Sequence, residues 1–370
     1  MGYCANSLRL GCDCVGYINY LDGNLVDSKG NIVIIKNAIC IHEEDFGSIW
    51  KHTDRRLMES PEVRRSRRLV ISSVSTVENY EYGFFWYFYQ DGNIQFEMKL
   101  TGILSLAVFA PLKEDEIRGT SEVKESKDAG SSEVKDSIES RSNASSGPIH
   151  GCMIKPMLYA PNHQHFFNMR LDVGIDGAEN TIYQVDVVAD EEDESKNPFN
   201  NAFHAVATPL KTELQACAHL NLETGRTWKF ANPNVKSRFG VPRSYKFMPG
   251  DNAYPFASKK AWWRKRAGFV DHHVWVTPFS EEEKFAAGDF PNQSCGGDGL
   301  IKWTQANRSI ENTDVVFWYT FGHNHIPRPE DSPVMPAAYV GFLLKPAGFF
   351  DENPSNDVPP SGGSMQSSCH

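Results

Sequence analysis

Two short histidine pairs carry the clearest chemical signal in the sequence, His163-Gln164-His165 and His323-Asn324-His325. Residues i and i+2 of a β-strand face the same side, so both imidazoles of a pair can converge on one ion. Three imidazoles with open coordination positions suit copper or zinc, no carboxylate adjoins them, and residue type alone does not choose between the metals. Ordinary core or surface histidines are the competing reading. A second segment, Thr76-Val77-Glu78-Asn79-Tyr80-Glu81-Tyr82-Gly83, reads by pattern alone as an aromatic β-strand. Cys12-Asp13-Cys14, with Cys40 downstream, could supply one bridge or a thiol site.

The elements that must position these residues are mostly strands. Arg68–Ile71 leads into Ser75–Val77, and the runs Glu81–Tyr89 and Ile94–Leu100 flank Gln90-Asp91-Gly92-Asn93, where Asp-Gly is a strong hairpin signal. Val274–Thr277, Val315–Tyr319 and Tyr339–Leu344 read as further strands. One helix is predicted over Pro209–Leu220, with Thr208 as N-cap, Pro209 at its first position and Leu210, Leu214 and Cys217 along an apolar face. The whole reads as a large, mainly β, mostly antiparallel domain with few short helices and long loops. Lys113–Gly147 is rich in Ser, Glu and Lys, has no aromatic residue and partly repeats itself; it reads as a disordered surface insertion. Ala189–Asn201 reads as an acidic loop, and residues 358–370 as a flexible tail.

Composition narrows the function classes. The 370 residues hold 40% hydrophobic side chains, enough for a sizeable core and room for two or three ordinary domains or one large β domain. A net charge of −10 argues against nucleic acid as the main partner. The longest apolar run, Leu100–Leu112, is interrupted by Thr101, Gly102 and Pro111 and is too short to span a membrane. The amino terminus lacks the apolar core of a signal peptide, and Ser367-Ser368-Cys369-His370 is no peroxisomal tripeptide. Without a signal peptide the Asn-x-Ser sequons at Asn143, Asn292 and Asn307 carry no weight.

Taken together, Thr76-x-x-Asn79-Tyr80-Glu81, a His-x-His pair and a later single histidine resemble the copper amine oxidases. The likeness runs through Ala5–Leu8, Leu10–Cys14, Ala38–Asp45, Tyr159–His165, Trp275–Thr277, Pro291–Ser294, Gly296–Leu300, Ile326–Asp331 and Gly348–Asp351, and the plant and fungal peroxisomal-type members look most similar. The resemblance implies a catalytic β-sandwich over residues 1–357 that lacks its amino-terminal edge. It implies that Tyr80 is the precursor of topaquinone, that Asn79 orients the quinone, and that His163, His165 and His325 hold Cu(2+), with His323 an additional histidine. It further implies a Cys14–Cys40 disulfide beside a free buried Cys12, and a peripheral site for Ca(2+) or another divalent ion at Asp172, Asp314 and the carbonyls of Val173 and Val315. For the two aspartates, capping of strand ends is the competing reading.

The chemistry so implied is oxidative deamination. A primary amine forms a Schiff base on the quinone, loses an α-proton and leaves as aldehyde; O2 then restores the cofactor, giving H2O2 and ammonia. A phenol, with an ordinary pKa of ~10, becomes reactive only where a nearby cation such as Cu(II) favours its ionised form. A homodimer and a cytoplasmic or peroxisomal location are also implied.

The sequence departs from the family in places. The family's proton-abstracting aspartate aligns before Met1, and Asp13, Asp22 and Asp27 are no substitutes. Glu78 stands where glycine is common, Ser332 replaces a tryptophan, and Ser73 and Ser75 add hydroxyls to a strand that is usually apolar or small there. A catalytically impaired copper-binding homologue or scaffold is therefore the alternative expectation.

Overall fold

The computed structural model describes residues 2–56, 61–108, 150–191, 193 and 195–360. The expected insertion at 113–147 and the tail beyond residue 360 lie outside them. Ten antiparallel strands form one sheet in the spatial order Asn19–Val26, Ile32–His52, Glu62–Val77, Tyr80–Tyr89, Ile94–Gly102, Met335–Pro346, Pro242–Pro249, Thr227–Lys236, Thr181–Ala189 and Phe203–Pro209. A three-stranded sheet of Val274–Pro278, Val315–His325 and His163–Val173 packs on it. A third small sheet joins Ala107–Val108, Leu158–Pro161 and Gly151–Lys155. The fold class is that read from the sequence. No helix among the described residues is long and apolar enough to cross a membrane.

Aromatic rings hold the two layers together. Phe247 of the large sheet meets Phe317 at 4.9 Å and Tyr319 at 4.8 Å, Phe230 meets Phe317 at 4.8 Å, and Phe96 meets Phe321 at 6.2 Å. Trp228, Phe96, Phe247, Phe317 and Phe321 are all fully buried, and burying each such side chain contributes about 1.5–3 kcal/mol. The other face of the small sheet is covered too: Val316 and Trp318 pack with Trp275 and Leu300. A strand buried on both faces needs apolar residues at every position, which explains the unbroken run Val315–Tyr319.

The predicted hairpin at Asp91-Gly92 forms as expected. The strands Tyr80–Tyr89 and Ile94–Gly102 pair antiparallel around Gly92, whose φ of 81° suits glycine. A tighter hairpin pairs Val77 with Tyr80 and leaves only Glu78 and Asn79 in the turn. Glu78 takes φ 56° there, a left-handed conformation that costs a residue with a Cβ about 1–2 kcal/mol. Glycine would relieve this strain.

The expected helix at Pro209–Leu220 does not form. Pro209 ends a strand opposite Tyr183, Thr212 bridges Ser309, and Ala218 bridges Val274; a single turn at Glu213–Ala216 connects them. The apolar face inferred for it is not used as one, because Leu214 is 53% exposed while Glu213 is fully buried. Glu213 accepts the backbone N–H of Arg308 at 2.6 Å and the Nη2 of the same guanidinium at 2.6 Å, and Arg308 also reaches Glu283 at 2.9 Å. This pairing across 95 residues outweighs the local helical pattern. Removing Arg308 would strand a buried carboxylate, so Arg308→Ala should lower the unfolding free energy by about 3–5 kcal/mol, as read by chemical denaturation; a loss below about 1 kcal/mol would show that water replaces the arginine.

Candidate metal centre

Strand periodicity carries the histidines to the layer interface. Stepping in twos from Phe317 through Tyr319 and Phe321 reaches His323 and His325; stepping back from Met169 through Phe167 reaches His165 and His163. The register sets His325 opposite His163 and His323 opposite His165. Gln164 and Asn324 point to the other face, where Gln164 Nε2 donates to Asn324 Oδ1 at 2.6 Å.

Among the described residues His163, His165 and His325 form the only group of three or more His, Cys, Asp or Glu side chains able to hold one ion, with ligand atoms all within 4.8 Å of one another. His323 lies beside them, its ring 6.4 Å from that of His325, outside the group. Tyr80 completes the cluster: its Oη lies 2.9 Å from His163 Nε2, and its ring lies 5.0 Å from that of His165. Tyr80, His165 and His325 face a cavity of about 340 Å³, also lined by Tyr82, His323, Arg328, Asp331 and Met335, while His163 lines a separate cavity with Phe166 and Trp263.

Each ligand ring is oriented by a partner on its far side. His163 Nδ1 lies 2.8 Å from the Pro161 carbonyl, so that nitrogen carries the proton and Nε2 turns its lone pair to the cluster. His165 Nδ1 lies 3.0 Å from the Tyr82 hydroxyl. His325 Nε2 faces the buried Asp331 carboxylate at 3.5 Å, leaving Nδ1 3.1 Å from His163 Nε2. Burial alone would raise the Asp331 pKa, but Arg328, donating from its Nη2 at 3.0 Å and its backbone N–H at 2.9 Å, holds that carboxyl below its ordinary range.

Burial, reinforced by the neighbouring His163, pushes the His165 pKa down to about 4 and lowers those of His323 and His325. The three candidate ligands thus include rings held neutral, the form that binds a metal. Burial also pushes Tyr82 up to about 12, with Tyr80 adding to it, so its hydroxyl keeps its proton. The donor set, three imidazoles with a phenol beside them and no carboxylate on the inner side, fits a copper ion.

The turn that carries Tyr80 is clamped. The Thr76 hydroxyl lies 2.8 Å from the Glu81 carboxylate, to which it donates its one proton, and 3.0 Å from Asn6 Oδ1, while Asn6 Nδ2 donates to Glu81 at 3.1 Å. Behind Tyr80, Gly102 has φ 118°, and a Cβ there would sit 2.4 Å from the Asn79 carbonyl oxygen and 2.8 Å from Tyr80 Cα. Asn79 itself is exposed at the turn, its carbonyl accepting the Ile103 N–H at 2.7 Å.

The remaining expected residues fall elsewhere. Asp172 and Asp314 stand at the opposite end of the histidine strands, where Val173 pairs with Val315. Burial, then the like charge of Asp172, raises the Asp314 pKa, and Arg170 lies 4.0 Å from Asp172. Cys14 and Cys40 are buried together in one cluster with Leu8, as free thiols. Burial, with Cys14 adding to it, pushes the Cys40 thiol up to about 12. Cys12 is also free, but it is exposed rather than buried, because it sits in the turn closed by the Cys12 N–H on the Arg9 carbonyl. Sequence reasoning missed Tyr82, Asp331, Arg328 and Gly102 as site residues; only Tyr82, two residues after Tyr80 on one strand, carried a periodic signal.

Known proteins resemble this chain in sequence and fold. The chain is 42% identical over 365 residues to the peroxisomal copper-containing diamine oxidase 1 of Nicotiana tabacum, covering 97% of this chain and 42% of that protein. It is 43% identical over 376 residues to a primary amine oxidase of Arthrobacter sp. strain P1, covering 100% of this chain and 52% of that one. Among solved structures, a copper-containing benzylamine oxidase from Hansenula polymorpha superposes with a TM-score of 0.83 at 34% identity, over 98% of this chain and 52% of that one. The chain thus spans about half the length of these relatives. The family model for the copper amine oxidase enzyme domain matches residues 1–364, and the chain belongs to that family.

Proposed function

We propose that the chain oxidises primary amines with O2, using copper held by His163, His165 and His325 and a topaquinone made from Tyr80. The observation that carries this reading is the Tyr80 hydroxyl 2.9 Å from His163 Nε2, inside a three-histidine cluster that opens on a cavity of about 340 Å³. When bound, copper would favour the ionised Tyr80 phenol and let O2, the oxidant, convert its ring to a quinone, and the quinone would supply the electron sink for amine oxidation. The rest belongs to this chain's own side chains. The Pro161 carbonyl, the Tyr82 hydroxyl and the Asp331 carboxylate would each fix one histidine's ring plane and tautomer, so that the three free nitrogens meet. Asn79 would flank the cofactor, and the Asn6–Thr76–Glu81 clamp would hold the turn that presents it.

The antiparallel bridge between Ala5 and Ser75 directs the segment before Ala5 towards the hairpin end that carries Tyr80. Asp172, Asp314 and the carbonyls of Val173 and Val315 are proposed to hold a peripheral divalent ion such as calcium; the like charges of the two aspartates support it, since a cation relieves their repulsion. By likeness to the relatives we also propose a homodimer.

Cu(II) added in air to the copper-free protein should generate a visible chromophore that phenylhydrazine traps, with peroxide released from a simple primary amine. Colour without turnover would identify a catalytically impaired copper-binding homologue, and the absence of both colour and copper retention would overturn the reading. Tyr80→Phe should abolish colour and turnover together; turnover surviving in that variant refutes the role of Tyr80. Gly102→Ala should cost about 1–3 kcal/mol of stability and reduce the yield of chromophore, by pushing Tyr80 off the histidines; an unchanged yield would show that the backbone yields without moving the ring. Cys14 and Cys40, free thiols buried side by side in this structure, are proposed to join when oxidised: peptide mapping of air-oxidised, unreduced protein should recover Cys14 linked to Cys40 with Cys12 open to alkylation, and reduction should cost about 3–4 kcal/mol; Cys14 and Cys40 both still alkylated after oxidation would refute the bridge.

A further inference from the structure

A second group of imidazoles lies outside the Tyr80 cavity. His219 faces His272 with ring centroids 5.0 Å apart and His273 with centroids 5.3 Å apart. The three rings of the first site are separated by 4.6–6.1 Å, the same range. The roles within the second group are distinct. His273 accepts the Leu220 N–H at Nδ1 (3.2 Å) and donates from Nε2 to the Ala253 carbonyl (3.3 Å), so both its nitrogens are committed to the backbone. In contrast, Nδ1 of His219 and Nδ1 of His272 are both buried and have no hydrogen-bond partner among the described residues. A buried polar nitrogen left unpaired costs about 1–3 kcal/mol, and one ion bound by the two neighbouring rings would satisfy both atoms together.

We propose that His219 and His272 bind a second copper ion, as Cu(I), through these two nitrogens. Several features of the site choose that ion. Both ligands are neutral rings, their pKa values lowered chiefly by burial. The adjoining carboxylate, Asp271, is engaged through one oxygen by Arg264. The rings of Tyr254, 5.5 Å from His219, and Trp275, 4.7 Å from His272, flank the pair with soft, polarisable surface. Two nitrogen ligands without added charge satisfy a monovalent d¹⁰ copper ion, whereas Zn(II), Mg(II) and Ca(II) demand more donors or oxygen.

The test is a titration of the full chain, its first site already loaded, with Cu(I) under argon against a chromophoric chelator. The wild-type chain should hold about one further equivalent against the competitor. His219→Gln and His272→Gln should each remove that equivalent while leaving the first-site copper and the chromophore unchanged. X-ray absorption of the second equivalent should report two nitrogen neighbours and no sulfur. A wild-type chain that takes up no further Cu(I) overturns the proposal without recourse to any variant. So does a folded variant that still holds the extra equivalent, or a second equivalent of Zn(II) held more tightly than Cu(I).

Discussion

The pairing of His325 with His163 across two adjacent strands is the constraint on which the rest of the centre depends. Because side chains alternate faces, a slip of one residue would turn these histidines out of the interior and bring Gln164 and Asn324 in. Several devices hold the register. Outside the centre, the Gln164–Asn324 hydrogen bond ties the same strands on the opposite face. Further along, Phe317, Tyr319 and Phe321 lock the strand into the aromatic layer, where any shift would open voids in close-packed rings. The three clustered histidines are thus an extension of the core pattern, with imidazole substituted where phenyl rings give way to the cavity.

On the other side of the interface the phenol is placed by backbone rather than by packing. The two-residue turn at Glu78–Asn79, strained at Glu78, leaves Tyr80 as the first residue of its strand. Gly102 allows the neighbouring backbone to pass close behind it. The position of Tyr80 therefore depends on the absence of a side chain at one residue and on a sterically disfavoured dihedral at another. Both are local departures from ordinary strand chemistry, concentrated at one hairpin end.

Much of this was legible in the sequence because it is periodic or local. The Asp91-Gly92 turn, the alternating strands and the two His-x-His pairs each carry their signal within a few residues. The partners that orient the rings do not. Asp331 reaches His325 only through the turn that follows the strand, and Arg308 meets Glu213 from 95 residues away. The segment after Pro209 shows why local signals mislead: its capping residues and apolar spacing are those of a helix, yet the buried charge at Glu213 is satisfied only if the chain runs on as bridges. The His219–His272 pair was equally hidden, since neither residue sits in a repeating pattern and the two come together through separate loops.

The separation of the centre's parts along the chain also has a temporal meaning. Tyr80 meets His163 across 83 residues, and His163 meets His325 across a further 162. Contacts of such sequence distance form late, after loop-closure entropy has been overcome by the packing of both layers. During synthesis, the phenol and the first two imidazoles emerge long before the strand that brings His325. No complete ligand set for an oxidising metal exists in the nascent chain. The order of synthesis thus acts as an interlock: the three histidines cannot meet beside the tyrosine until the last strands have docked.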